Sequence, residues 1–264
     1  MNELWENLLI PPSHQDLARE LFHENSKISR YSDTLSLQEV RRCMKELHDT
    51  LPFEGYPIFE LPKHLPSLSI GLQEAITTRT STCNFVPHSI SVESLALLLH
   101  YGYGINRDNK NIEFIPPFRM VPSGGALYPL EIFFYSAHVK NLPPGVFHYN
   151  PAKNHMRLII EGDQTEKLSQ SLISPEIGNN ASLIIFITAL FERSSFKYGE
   201  RSYRFVLLEA GHVAQNMNLI ANGLGQGVLN IGGYYDREID DFLGLDGVTH
   251  STIYMLAMGN KQSS

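Results

Sequence analysis

Only two cysteines, Cys43 and Cys83, occur in 264 residues. Two thiols build neither a metal quartet nor a disulfide framework, and these two do not form a CxxC redox pair. The eleven histidines show no HxH or HExxH spacing, so no protein-built metal site is expected. Positive charge is also scarce: 21 Lys and Arg face 28 Asp and Glu, a formal net charge of −7. With no basic arm, that balance excludes a non-specific grip on nucleic acid or on an anionic membrane surface. Long apolar runs are missing as well. Leu183 to Phe191, the most apolar segment, is about half the length that spans a bilayer. The amino-terminal MNELWENLLIPPSHQ carries Glu3 and Glu6 where a secretory signal is basic. A cytoplasmic location is therefore expected.

What remains is an ordinary globular composition, 42% hydrophobic and 19% charged, without repeats or low-complexity tracts. Residues 1–71 read as a helical extension ending in a proline-rich linker. LARELFHENSKIS and SLQEVRRCMKELHDTL have amphipathic spacing, and prolines then recur from Pro52 to Pro66. Residues 72–264 read as the main domain, of mixed helix and strand. Ser91 is placed to cap a helix whose buried face is Leu95, Leu98 and Leu99. LEIFFYSAH reads as a strand, GVFHY and HMRLII as a hairpin around NPAKN, and ASLIIFITALF as the central strand. YRFVLLEAGHVAQNMNLIANGLG is a helix with Tyr203, Val206, Ala210, Val213, Met217 and Ile220 on one face, and QGVLNIGG and TIYMLAMG are two further strands. Long helices with few, separated strands indicate the α+β class.

Four segments have chemical potential. RTST at 79–82, with an arginine, hydroxyls and backbone N–H groups ahead of a helix, could cradle a phosphate, or be a plain loop. RMVPSGGALYPLE, Arg119 to Glu131, bares backbone at Ser123-Gly124-Gly125. A flat ligand could approach there, or the glycines could simply make a tight turn. GLGQGVLNIGG fails as a dinucleotide fingerprint, because its glycines follow a helix and open a strand, and Val228 stands at the third glycine position. SFKYGERSYRF, Ser195 to Phe205, sets a lysine beside a tyrosine at the end of a strand. Such a pair can move protons if burial and the neighbouring Arg201 and Arg204 lower the lysine pKa. Otherwise Lys197 is solvated and Tyr198 packs on the helix. Glu209 and His212, three apart on the helix, could organise the face beside that pair, or be a helix-internal polar pair.

RTST, PSGGALYP followed by a strand, and FKYGERSYRFVLLEAGHVAQN, in this order, resemble the SagB-type dehydrogenases, flavoenzymes of the nitroreductase superfamily. That group includes the microcin-type azole-forming oxidases. FHENSK, Phe22 to Lys27, is similar to the amino-terminal part of the same family. The resemblance runs over most of residues 76–260 and is strongest in 119–131 and 196–216.

The resemblance implies a nitroreductase-like FMN-binding fold, a central and mainly antiparallel sheet flanked by helices, and a homodimer with FMN at the interface. It implies oxidation of thiazolines or oxazolines to azoles in a heterocyclised precursor peptide, and association with a cyclodehydratase. Arg79 and Ser81 match the phosphate-contacting motif. Ser123, Gly124, Gly125 and Ala126 match the loop lining the flavin, and Ile231, Gly232 and Gly233 the backbone strip beside its N5 edge. Lys197 and Tyr198 match the catalytic pair. Cys83 stands where simple nitroreductases carry a second basic residue. The rival expectations are an NAD(P)H-driven nitro or quinone reductase on the same fold, and a non-catalytic scaffold of a heterocyclase complex.

Overall fold

The structure is a computed structural model that describes residues 14–31, 35–109 and 117–261. The amino-terminal segment with Glu3 and Glu6 lies outside the described residues. Two helices lead the chain, α1 (His14–Asn25) and α2 (Leu37–Glu46). Ser36 opens α2 with a capping box: its hydroxyl accepts from the Glu39 amide, and the Glu39 carboxylate accepts from the Ser36 amide. The proline-rich passage that follows is not a bare linker. It supplies β1 (Ile58–Glu60), an edge strand paired antiparallel with β7 (His155–Glu161).

The main body begins with α3 (Leu72–Thr78), β2 (Phe85–Val86) and α4 (Val92–Tyr103), capped as expected by Ser91, which accepts from the Ser94 amide at 3.1 Å. A small ladder of β3 (Ile105–Arg107) and β4 (Phe118–Arg119) leads to β5 (Leu130–Ser136) and β6 (Gly145–Asn150). β6 and β7 form the expected hairpin. The helices α5 (Thr165–Gln170) and α6 (Pro175–Asn180) precede β8 (Leu183–Leu190). Then come α7 (Glu192–Tyr198), the long α8 (Ser202–Gly223), β9 (Gly227–Ile231), α9 (Asp236–Leu243) and β10 (His250–Lys261).

Eight strands form one sheet in the order β1-β7-β6-β5-β8-β10-β2, with β9 also on β10. All of these strand pairs are antiparallel. β8 is central because both its faces are covered. Ile185 and Ile187 join Leu95, Leu98, Val206, Val213 and Met217 beneath α4 and α8. Ile184 and Phe186 point the other way, toward Leu168 of α5 and Ile239 and Phe242 of α9. Successive strand residues alternate between faces, so a strand buried on both sides reads as continuously apolar. The α4–α8 contact is so close that a β-carbon on Gly102 would lie 2.7 Å from the end of Met217. The expected α8 face is buried at Val206, Ala210, Val213 and Met217, but Tyr203 is not in the core. Its ring packs instead on Phe22 and Phe191, each at 5.4 Å.

Candidate active site

Between β4 and β5 the backbone makes a tight 3-10 turn over Gly124–Ala126. Gly125 takes φ 68°, and Ala126 (φ 56°) and Tyr128 (φ 46°) are also left-handed, uncommon for residues bearing a β-carbon. Ser123 braces the turn: its carbonyl accepts from the Ala126 amide at 3.1 Å, and its hydroxyl accepts from the Tyr128 amide at 3.0 Å. Gly125 is needed for space as well as for φ. A β-carbon there would fall 2.5 Å from the Tyr198 hydroxyl and 2.8 Å from Lys197 Nζ. Gly124 lies over the ring of Phe205.

The lysine–tyrosine pair therefore meets the glycine loop, across more than seventy residues of sequence. It does not stand at a strand's end, as expected from the apolar run, but closes α7, a short helix interposed after β8. Lys197 Nζ lies 5.1 Å from the Tyr198 ring centroid, and that ring meets Phe205 edge-on at 5.0 Å. Both side chains are half-buried, on a cleft of about 620 Å³ also lined by Ser26, Ile28, Leu37 and Val40 of the extension.

Arg201 and Arg204 do not turn toward Lys197. Arg204 Nε donates to Ser26 Oγ at 2.8 Å and Nη2 donates to the His23 carbonyl at 2.7 Å, while Arg201 Nη1 donates to the Ser26 carbonyl at 3.2 Å. Each guanidinium gains acceptors on the FHENSK segment that it would lack beside an ammonium. The crowd of ionisable groups in SFKYGERSYRF thus divides, with Lys197 and Tyr198 facing the glycine loop and the arginines holding the extension.

Glu209 and His212 do not share one environment. Glu209 is 2% exposed, whereas His212 is exposed. The Tyr103 hydroxyl donates to its Oε1 at 2.8 Å, and the Ser123 hydroxyl lies close to the same carboxyl. Burial pushes the Glu209 pKa up to about 7, against the opposing pull of Ser123, Tyr103 and the charge of Arg119. Arg119 stacks on Tyr103 at 4.2 Å and donates to the Asp49 carbonyl at 2.6 Å, a second tie to the extension. The signal for Glu209 was present in the sequence: it stands three residues after Val206 and four before Val213, on the buried stripe.

Arg79 and Ser81 lie elsewhere. Arg79 follows α3, and Ser81 bridges to Val228 of β9 while the Thr82 amide donates to the Val228 carbonyl at 2.9 Å. Ile231 ends that same strand opposite Met255, and the Gly233 carbonyl accepts from the Ile173 amide at 3.1 Å. Arg79, Ser81 and Ile231–Gly233 are therefore linked through β9. The glycine loop and the Lys197–Tyr198 pair are linked at Phe205. Arg79 and the glycine loop sit toward opposite ends of α8, because Asn222 donates to the Ala75 carbonyl and to Thr78 Oγ1 beside Arg79, whereas residues 231–233 follow Asn230, which accepts from Asn218 farther back along the helix. The seventeen residues from Phe205 to Asn222 rise about 25 Å along the helix. Cys83 is exposed, and no group of three or more potential metal ligands occurs among the described residues. No helix among them is long and apolar enough to cross a membrane.

A profile described as "Nitroreductase family" matches residues 76–260. The chain is 31% identical over 180 residues to a nitroreductase-type protein of Methanocaldococcus jannaschii, covering 68% of this chain and 87% of that protein. It is 32% identical over 149 residues to the microcin B17-processing protein McbC of Escherichia coli, so the match spans about half of each, 54%. A chain of the E. coli microcin synthetase McbBCD complex, solved with truncated pro-MccB17 bound, superposes with a TM-score of 0.61 at 22% identity, over 94% of this chain and 93% of that one. At that identity the superposition establishes a shared fold.

Proposed function

We propose that this chain, which belongs to the nitroreductase family of oxidoreductases, is an FMN-dependent dehydrogenase that aromatises thiazoline or oxazoline rings in a heterocyclised ribosomal precursor peptide. One observation carries the reading: Lys197 Nζ and Tyr198 Oη converge on the bared backbone of Gly125. The similarity to a microcin-processing protein supports a peptide substrate.

The residues present fit a flavin mononucleotide. Gly124 and Gly125 leave the loop backbone without side chains, as close approach by a flat ring system requires, and Lys197 and Tyr198 fill the side where a β-carbon of Gly125 would project. Half-buried Arg79 and exposed Ser81 offer a cation and a hydroxyl to a single phosphate, and the fingerprint of a dinucleotide site is missing. The span of about 25 Å along α8 between the glycine loop and Arg79 is more than one mononucleotide bridges within a protomer. A homodimer resolves this, with the glycine loop of one subunit completing the site of the other. Leu207 and Leu208, 44% and 60% exposed on α8, supply an apolar face for that association.

Removing two hydrogens from an azoline takes a proton from one ring carbon and a hydride from its neighbour, and flavin supplies the acceptor for the hydride. The protein must supply the base. Lys197 Nζ or Tyr198 Oη accepts the ring proton at the face over Gly125, and the edge-on packing of Phe205 keeps the tyrosine from turning away. The adjoining cleft gives an extended peptide a route to the pair. The placement of the McbC-like fold in a synthetase complex supports a cyclodehydratase partner, the activity that would generate the azolines.

Titration of purified protein with FMN, FAD and NAD, followed by sedimentation, tests the cofactor and the assembly. Uptake of FMN alone by a dimer is the expected result. A folded protein that takes up no FMN, or a flavin-loaded monomer, contradicts it, since a ligand at an interface stabilises the associated state.

A further inference from the structure

β5 carries one charged residue, Glu131, and it is 2% exposed in the middle of the sheet. Its carboxylate gathers donors from three separate parts of the chain. Oε1 accepts from Arg193 Nη2 at 2.6 Å and from the Leu51 amide at 3.0 Å. Oε2 accepts from Thr50 Oγ1 at 3.0 Å and lies 2.6 Å from His148 Nε2. Burial alone would raise the carboxyl pKa, but the Arg193 charge and the His148 contact hold it down at about 2.

Arg193 is the second residue of α7, four before Lys197. Side chains at that spacing leave one helix face a single turn apart. Arg193 is itself 5% exposed, and its Nη1 has no hydrogen-bond partner among the described residues. Arg193 thus ties α7 to Glu131 through Nη2. Six residues before Glu131 in the chain is Gly125, the residue that Lys197 and Tyr198 face. One buried carboxylate thus connects the strand that follows the glycine loop, the helix bearing the lysine–tyrosine pair and the stretch of the extension just after α2. A buried ion pair is a poor device for stability alone, because desolvating two charges offsets their attraction. It is a good device for fixing geometry.

We infer that Glu131 is a positioning residue: through Arg193 it sets where α7 holds Lys197 and Tyr198 against Gly125, and Thr50 and Leu51 of the extension complete the anchor. The inference rests on the reading of Lys197–Tyr198 as the proton-transfer pair, and a 1 Å misplacement of such groups costs about a hundredfold in rate.

The test uses the full-length, flavin-loaded protein with Glu131→Asp, Glu131→Gln, Arg193→Lys and Thr50→Val. Glu131→Asp keeps the charge but withdraws the carboxylate by about 1.5 Å. It should keep flavin, lower kcat on an azoline peptide about 10- to 100-fold and leave KM within about twofold. Glu131→Gln should lose at least as much, and Thr50→Val the least. A kcat near wild type in both Glu131 variants, or a loss that only tracks lost flavin, overturns the inference.

A second readout does not depend on the substrate. Amine acylation of Lys197 relative to exposed Lys140, followed by peptide mass spectrometry, should change at least about fivefold in both Glu131 variants and in Arg193→Lys. An unchanged ratio overturns the positioning role even if the wild type oxidises azolines. A wild type without azoline oxidation refutes the functional reading instead, and the lysine ratio then decides this inference separately. If the Glu131 variants do not fold, Arg193→Lys, which keeps the buried charge paired, decides it by the same ratio.

Discussion

The Tyr198 hydroxyl and Gly125 face each other so closely that a β-carbon on the glycine would lie 2.5 Å from the phenolic oxygen. The lysine end of that contact is flexible and can swing aside, but a tyrosine wedged edge-on against Phe205 cannot.

Gly125→Ala should therefore act twice. Alanine at φ 68° is strained by about 1 kcal/mol, and the added methyl, meeting a tyrosine that cannot give way, pushes the glycine loop off the pair. The expected outcome is a modest fall in melting temperature with a loss of azoline oxidation of at least about tenfold. Full activity in a folded Gly125→Ala protein would mean that the loop and the pair do not meet in solution.

Glu209 predicts a pH dependence of stability. Its folded pKa of about 7 lies above the ordinary 4.5, so the folded state binds this proton more tightly than the unfolded chain does. Its favourable contribution is complete below about pH 4 and is lost as pH rises through 7, a loss of about 3 kcal/mol. Glu209→Gln keeps the shape and cannot ionise. Its melting temperature relative to wild type should rise between pH 5 and pH 8, by roughly 5–10 °C. Parallel melting temperatures across that range would refute a buried, proton-retaining Glu209.

Arg204→Ala removes the donors to Ser26 Oγ and the His23 carbonyl. The part-buried bond to Ser26 contributes about 1–2 kcal/mol, and the exposed one to His23 less, because water screens it. The extension should loosen while the sheet stays intact. Hydrogen exchange is expected to quicken in residues 17–31 and to stay unchanged in β5 and β8; equal protection in both proteins would show that the arginine does not hold the segment.

Much of the fold was legible because its signals are local. β8 is apolar at nearly every position, α8 repeats its apolar residues at helical spacing, and Ser91 caps α4 through a residue three positions away. What was missed depends on distant partners. β1 is three residues among prolines and exists by pairing with β7 a hundred positions on. α7 is one short helix without a side-chain cap, and it interrupts what read as strand followed by loop. At the site, the glycine turn and the lysine–tyrosine pair could be marked in the sequence. Their meeting, and the diversion of Arg201 and Arg204 to Ser26, could not, because the latter contact spans 175 residues. Glu131 and Arg193 were the quieter omission: a charge inside LEIFFYS is itself a sign of a buried partner.

The most direct measurement is the mass of an azoline-containing peptide incubated with FMN-loaded wild type, Lys197→Ala and Tyr198→Phe. Wild type should remove two hydrogens per ring. Both variants should keep FMN and the dimer, and their flavin should still be reduced by dithionite, yet ring oxidation should fall about 10²–10⁴-fold. An unchanged peptide mass with wild type, or both variants oxidising the peptide at near the wild-type rate, would contradict the account.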